Sequence, residues 1–138
     1  MIGILIAAHQ ELGLALCRAA EGIVGEMEGV EAISLRYDEA PPEGRRRIEE
    51  ALRRLDAGEG VLILTDMFGG TPTNMCLPFL EAGRVEVLTG VNLPIVVKAQ
   101  SARADLGLGE LAAFLRDYGA RNISLASDLW NARPRRSG

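Results

Sequence analysis

Two short, continuous apolar runs limit the folds open to this chain more than any other feature of its sequence. They read IGILIAA at 2–8 and GVLILTD at 60–66. Apolar runs of this length that contain β-branched residues are typical of strands buried on both faces of a parallel sheet. Such strands need helices on both sides, so the two runs predict a layered α/β protein.

The remaining segments alternate between helical and extended patterns. Apolar residues recur at helical spacing in four segments, at 11–27, 48–55, 71–82 and 108–118. Extended patterns occur at 30–37, 84–90 and 122–127. We therefore expect a three-layer α/β/α fold whose mostly parallel sheet has four strands. The segment at 122–127 is expected to add a short C-terminal edge strand, which two chains of a dimer could exchange.

The length of the chain is that of one domain. We expect the folded domain to cover 1–127 and a tail to cover 128–138 of the 138 residues. The basic cluster RPRR at 133–136 is interpreted as part of a solvated tail, and the alternative is a docking element. The formal charge of −4 gives no electrostatic reason to expect a nucleic-acid partner.

The length of the apolar runs and the cysteine content indicate the cellular compartment of the protein. No apolar run approaches the roughly 20 residues that span a bilayer, and the first apolar run lacks the basic flank of a signal peptide. Cys17 and Cys76 fall in separate predicted helices without metal-ligand spacing, so we interpret them as small apolar residues and expect no metal site. These features predict a cytoplasmic protein.

His9, the single histidine of the chain, directly follows the first apolar run, and Asp66 ends the second. In parallel sheets, ligands collect beyond the carboxyl ends of the strands, where successive connections pass to opposite faces. If these two strands are neighbours, the carboxylate can hold one imidazole nitrogen and leave the other free as a base or nucleophile. We therefore take His9 and Asp66 as candidate catalytic residues.

The turn after Asp66 has the composition of an anion site. Gly69 and Gly70 permit close approach of the backbone, while Thr71 and Pro72 are typical of a helix N-cap followed by the first helical position. Free N–H groups at that helix start could bind a phosphate-sized anion. The combination predicts a phosphohistidine site, with Gly69, Gly70 and Thr71 as phosphoryl-binding residues and no further cofactor.

Each of these signals also has a plain structural explanation. A histidine at a strand end can be a solvated loop residue, an aspartate there can be a turn cap, and two glycines can simply form a turn. Met67 and Phe68 either cover the edge of the sheet or, if exposed, suit the docking of a partner protein.

Three motifs in order resemble the mannose/fructose/sorbose-type enzyme IIA component of the bacterial phosphoenolpyruvate-dependent sugar phosphotransferase system. They are the first strand running into His9, DMFGGTPTN at 66–74 and GVNLPIVVKA at 90–99, and the resemblance extends from residue 1 to about residue 125. It implies that His9 accepts a phosphoryl group from the phosphocarrier protein HPr and passes it to a separate enzyme IIB component. It also implies that Asp66 pairs with the histidine, that Thr71 and nearby amides contact the phosphoryl group, and that the chain forms a homodimer.

The chain departs from this family on both sides of the histidine. The family commonly has Thr or Ser before the histidine and Gly after it, where this chain has Ala8 and Gln10. Gln10 places a side chain beside the nucleophile, so we include it with Met67 and Phe68 as a candidate docking residue.

Two roles remain open for a phosphorylated His9. The first is a relay step in sugar uptake, and the second is regulation of a non-transport partner by the phosphorylation state. The phosphoryl donor subunit of dihydroxyacetone kinase is a third, less similar, candidate. Because a IIA component does not contact sugar, the sequence does not identify the sugar.

Overall fold

The computed structural model describes residues 1–134, so Arg135 and Arg136 of the expected basic tail lie outside the described residues. Four strands form one sheet, in the spatial order β2, β1, β3, β4, and every neighbouring pair is parallel. The strands are β1 (Gly3–His9), β2 (Val30–Leu35), β3 (Val61–Thr65) and β4 (Val85–Leu88). The expected four-stranded parallel sheet is thus confirmed.

Helices cover both faces of this sheet. They are α1 (Leu12–Val24), α2 (Pro41–Leu55), α3 (Thr71–Cys76), α4 (Leu93–Ala102) and α5 (Leu108–Arg121), and a single 3₁₀ turn, Leu77–Phe79, continues α3. A further helix, α6 (Ala126–Ala132), has no buried residue. One apolar core joins α1, α4 and α5 to one sheet face, and a second joins α2 and α3 to the other. The three-layer arrangement follows because β1 and β3 are apolar on both faces, and each face needs a helical cover.

The order of the strands places the candidate site. The central strands β1 and β3 are neighbours, with Ala7 paired to Thr65. The connection after β1 leads to α1 on one face, and the connection after β3 leads to α3 on the other. The carboxyl ends of these two strands therefore form the switch point of the sheet, where parallel α/β folds leave a crevice.

The C-terminal segment departs from the expected strand. Within residues 1–134 no fifth strand is present, because Ala126 and Ser127 begin α6 instead of ending a strand. Asp128 lies in the first turn of α6, where a carboxylate is favourable for the helix dipole. The expected boundary between domain and tail, at 127/128, falls inside this helix.

Two helices also differ from the sequence prediction. Helix α2 begins at Pro41, well before the helical pattern at 48–55, because proline is well tolerated in the first helical turn. Helix α4 occupies a stretch that the sequence pattern left without a structure, and Asn92 caps it by accepting a hydrogen bond from Ile95 N–H at 3.0 Å.

Both cysteines lie in helices and are buried. Burial, with the neighbouring Glu21 carboxylate, raises the pKa of Cys17 to about 11, and burial raises the pKa of Cys76 to about 12. Both thiols therefore remain protonated at neutral pH. None of the helices described within residues 1–134 is long and apolar enough to cross a membrane.

Candidate functional site

His9 and Asp66 meet at the switch point of the sheet. His9 is the last residue of β1, and Asp66 follows the last residue of β3. The His9 Nδ1 atom lies 2.7 Å from Asp66 Oδ2, and the same oxygen accepts the backbone N–H of His9 at 3.0 Å. The backbone N–H of Met67 donates to the other carboxylate oxygen at 3.1 Å. The expected contact is present, and the carboxylate is fixed by three hydrogen bonds.

These contacts decide the protonation of Asp66 and which nitrogen of a neutral imidazole carries the proton. Burial by itself would raise the pKa of Asp66, but the hydrogen bonds from the backbone and imidazole of His9 outweigh it and hold the pKa below its usual value. Asp66 is therefore a carboxylate at neutral pH and can only accept. The proton of the short contact then belongs to Nδ1, which leaves the Nε2 lone pair of His9 free for nucleophilic attack.

Gly70 closes one side of the imidazole. A Cβ atom at this position would lie only 2.8 Å from His9 Cε1 and 3.5 Å from His9 Nε2. The backbone of the turn thus approaches the ring more closely than any other residue type would allow. Gly69 serves the turn differently, since its φ of +83° lies in the left-handed region while a Cβ there would meet open space.

Thr71 directly follows Gly70, and it lies one position deeper in the helix than expected. The sequence predicts Thr71 as the N-cap, but Gly70 is the N-cap and Thr71 is the first residue of α3. Gly70 has an extended backbone that suits the cap position, and the cap has no side-chain hydrogen bond within the described part of the chain. The N–H groups of the first turn of α3 consequently have no side chain competing for them.

Thr73 is a supporting residue that the sequence reasoning missed. Its buried Oγ1 lies 2.6 Å from the carbonyl oxygen of Met67, to which it donates, and 2.7 Å from Oγ1 of Thr65. One hydroxyl carries one proton, so Thr65 must donate to Thr73. These bonds fasten the start of α3 to both β3 and the turn around Gly70. The sequence feature that could have indicated this role is the threonine three positions after Gly70.

Large apolar side chains surround the histidine at the surface. Met67 is 56% exposed and Phe68 is 74% exposed, so neither serves mainly to cover the sheet edge. Leu12, after β1, and Tyr37, after β2, are also exposed at this edge. The ring of Tyr37 lies 5.7 Å from the imidazole between centroids, a contact that sequence reasoning missed because nothing local marks it.

Comparison with known proteins identifies the family of this site. The family model EIIA-man, described as the PTS system fructose IIA component, matches residues 3–115. The chain belongs to the mannose/fructose/sorbose family of enzyme IIA components. It is thus a phosphotransfer protein of the sugar phosphotransferase system, as the sequence motifs predict.

Relatives of this IIA component are similar over most of its length. It is 30% identical over 129 residues to the fructose-specific EIIA component of Bacillus subtilis (strain 168), covering 93% of this chain and 88% of the relative. It is 32% identical over 124 residues to the mannose-specific EIIAB component of Escherichia coli (strain K12), covering 88% of this chain. The match spans only 38% of that longer relative.

Solved structures agree with the fold of the IIA component. The phosphotransferase component EIIA from Streptococcus agalactiae superposes with a TM-score of 0.84 at 24% identity, covering 93% of this chain and 99% of that one. The IIA protein associated with the fucose utilization operon of Streptococcus pneumoniae gives a TM-score of 0.79 at 28% identity, covering 92% and 95%. The four-stranded α/β fold is therefore that of the family.

Proposed function

We propose that this IIA component is a phosphocarrier that accepts a phosphoryl group from HPr on Nε2 of His9 and passes it to an enzyme IIB component. The single observation that carries the proposal is the Asp66 carboxylate 2.7 Å from Nδ1. This contact holds the proton on Nδ1 and leaves the Nε2 lone pair on the side of the ring away from Asp66. The His9 side chain is 20% exposed, so a partner protein can reach it while Asp66 holds its orientation.

The chemistry is an in-line transfer between two histidines. The Nε2 lone pair forms a bond to phosphorus as the bond between phosphorus and the donor imidazole breaks, and that electron pair returns to the donor ring. The protein contributes position and charge stabilisation, because little other covalent chemistry is needed. The Nδ1 proton stays on the Asp66 hydrogen bond throughout.

The turn after Asp66 supplies the phosphoryl-binding groups. We assign the backbone N–H groups at Gly69, Gly70 and Thr71, with the Thr71 hydroxyl, to the equatorial oxygens. Gly70 supports this assignment, since its backbone packs directly against the imidazole edge between Cε1 and Nε2. Preorganised donors aimed at developing charge are the largest contribution in sites of this kind.

Partner proteins dock, in this proposal, on the apolar rim that contains Met67 and Phe68, with Gln10 beside it. Exposed aromatic and methionine side chains are enriched at protein interfaces, and closure over them would keep water from the phosphoryl group. We also propose that the protein is a cytoplasmic homodimer. Exposed Ile123, Leu125 and Trp130 of the C-terminal segment offer the apolar surface for the contact between subunits.

The test is phosphorylation in a reconstituted relay. The protein is incubated with phosphoenolpyruvate, enzyme I and HPr, and intact mass is measured before and after acid treatment. The wild type is expected to gain one acid-labile phosphoryl group, and His9→Ala is expected to gain none. A wild type that stays unmodified, or a His9→Ala protein that gains the group, contradicts the proposal.

Two further arms test the mechanism and the acceptor. Asp66→Ala is expected to slow transfer by on the order of 100-fold, because the imidazole loses the group that orients it; an unchanged rate removes Asp66 from the site. Addition of a mannose-family IIB protein is expected to discharge the phosphoprotein. Phosphorylation without discharge by any such IIB protein favours the regulatory role.

A further inference from the structure

We propose that Tyr37 is a stabilising residue of this phosphohistidine site, which attracts the positive charge that the His9 ring acquires on phosphorylation. This inference rests on the proposed function. The carrying observation is the contact of the two rings, whose centroids are 5.7 Å apart with planes inclined by 46°.

The charge on the ring follows from the electron balance of the transfer. The form of His9 that attacks is the neutral ring, with a proton on Nδ1 and a lone pair on Nε2. When Nε2 bonds to phosphorus and Nδ1 keeps its proton, both nitrogens are substituted and the ring becomes an imidazolium cation, while the donor ring becomes neutral. Asp66 faces this cation from the Nδ1 side, 2.7 Å away.

An aromatic ring is the second group that can stabilise such a cation. A cation over the face of an aromatic ring, within about 6 Å of its centroid, is attracted by the ring quadrupole, and the attraction amounts to about a two- to fivefold change in an equilibrium constant at exposed sites. The neutral imidazole gains much less. Tyr37 therefore favours the phosphorylated state over the free state, which is the difference that sets a transfer equilibrium.

The loop that carries Tyr37 is fixed at both ends. Arg47 of α2 donates through Nη1 to the Ser34 carbonyl and to Glu39 Oε1, each at 2.8 Å. Glu39 also accepts the backbone N–H of Arg36 at 3.4 Å. Tyr37, 75% exposed, thus sits on a braced loop with its ring against the histidine and most of its surface in solvent. Replacing its side chain should leave the fold intact.

The experiment uses Tyr37→Leu, which removes the ring, and Tyr37→Phe, which keeps it. The matched control is Tyr118→Leu, which removes the other tyrosine of the chain, stacked on Phe114 in α5. Because His9 is the single histidine, its imidazole ¹H signals are read directly in each unphosphorylated variant. The phosphoryl exchange equilibrium with HPr is then measured for the same proteins.

Tyr37→Leu is expected to move the His9 ring-proton shifts and to lower the equilibrium constant for accepting the phosphoryl group about two- to fivefold. Tyr37→Phe and Tyr118→Leu are expected to match the wild type in both measurements. Unmoved shifts in Tyr37→Leu overturn the contact, and moved shifts with an unchanged equilibrium overturn the stabilising role. A wild type that takes no phosphoryl group while Tyr37→Leu moves the shifts contradicts the proposed function, and with it the stabilising role of Tyr37.

Discussion

Gln10 is the residue whose backbone the sequence pattern describes least well. Its φ is +51°, and within residues 1–134 every other residue with a positive φ is a glycine. For a residue with a Cβ, the left-handed region costs about 1–2 kcal/mol. The residue after His9 is commonly glycine in the family this chain resembles, so the glutamine keeps a backbone conformation that suits glycine better.

The strain at Gln10 can be measured by substitution. Gln10→Gly is expected to raise the free energy of unfolding by up to about 1 kcal/mol, since relief of strain exceeds the entropy that glycine loses on folding. Gln10→Val is expected to lower it by about 1–2 kcal/mol, because β-branching disfavours this region further. Denaturant unfolding checks both, and a Gln10→Gly protein less stable than the wild type contradicts the assignment of strain.

The two glycines of the turn are expected to respond differently to alanine. In Gly70→Ala the new Cβ would stand 2.8 Å from His9 Cε1, so the imidazole must move and phosphoryl transfer should fall by on the order of 100-fold. Gly69→Ala meets open space but keeps a φ of +83°, so it should cost about 1 kcal/mol of stability and leave the imidazole in place. Transfer rates and thermal unfolding of both variants separate these effects, and equal transfer by Gly70→Ala and the wild type would show that the close approach has no role.

At the scale of elements, the turn 66–70 and helix α3 act as one unit because Thr73 ties them together. Its hydroxyl bonds the Thr65 hydroxyl in the buried space between β3 and α3, and it bonds the partly buried carbonyl of Met67 in the turn. The imidazole packs on this turn at Gly70. The position of the turn, and so the geometry around Nε2, therefore depends on Thr73. Within residues 1–134, the described hydrogen bonds of the Thr73 side chain go to Thr65 and Met67 and not to His9.

Thr73→Val, which keeps the shape but removes the hydroxyl, is expected to lower the free energy of unfolding by about 1–3 kcal/mol, because the buried Thr65 hydroxyl and the partly buried Met67 carbonyl lose their partner. Phosphoryl transfer should slow as the turn loosens. Thr73→Ser restores the hydroxyl and is expected to restore transfer, apart from a small loss in packing. If Thr73→Ser transfers as slowly as Thr73→Val, the lost methyl group and not the hydrogen bonds accounts for the effect.

The sequence predicted the central elements well and the peripheral ones poorly, for physical reasons. The buried strands β1 and β3 are apolar up to His9 and Thr65 at their carboxyl ends, and this pattern has few other interpretations. Helix α4 was missed because IVVKA at 95–99 has the β-branched composition of a strand, although Asn92 and Pro94 gave a cap signal. The alternation in NISLAS suggested a strand, but a strand needs a neighbour, and the segment is exposed in this chain.

In the candidate site, too, some residues could be predicted from the sequence and others could not. His9, Asp66 and Gly70 could be placed together because strand ends share an edge of the sheet. The contact of Tyr37 could not, because it depends on how a braced loop from a third strand turns back toward the imidazole.

At the scale of the whole molecule, the candidate site and the contacts of Arg103 lie at opposite edges of the sheet. Arg103 is buried, and it donates to the carbonyl groups of Ile2 and Gly29 at the amino ends of β1 and β2, at 3.1 and 3.4 Å. It also donates to the Glu28 carbonyl and, at 2.7 Å, to Gln100 Oε1. Burial holds the pKa of Arg103 below its usual value without removing its charge. This side chain joins the second half of the chain to the first.

Arg103→Met is therefore expected to lower the free energy of unfolding by about 3 kcal/mol, since the buried Ile2 carbonyl and the partly buried carbonyls of Glu28 and Gly29 lose a charged donor. Arg53→Met, which removes an exposed pair with Glu49, is the control and should change stability by less than about 0.5 kcal/mol. Below the unfolding transition both variants should accept a phosphoryl group as the wild type does. A large loss of transfer by folded Arg103→Met would show that the two edges are coupled.

The most direct test of the phosphocarrier role is to locate the phosphoryl group on the imidazole. The phosphoprotein, made with enzyme I and HPr and labelled with ¹⁵N, contains one histidine, so a long-range ¹H–¹⁵N NMR spectrum shows a single ring. Phosphorus is expected on Nε2, with a protonated Nδ1 still hydrogen bonded to Asp66. Phosphorus on Nδ1, or no phosphoimidazole at all, would contradict the role assigned to the His9–Asp66 pair.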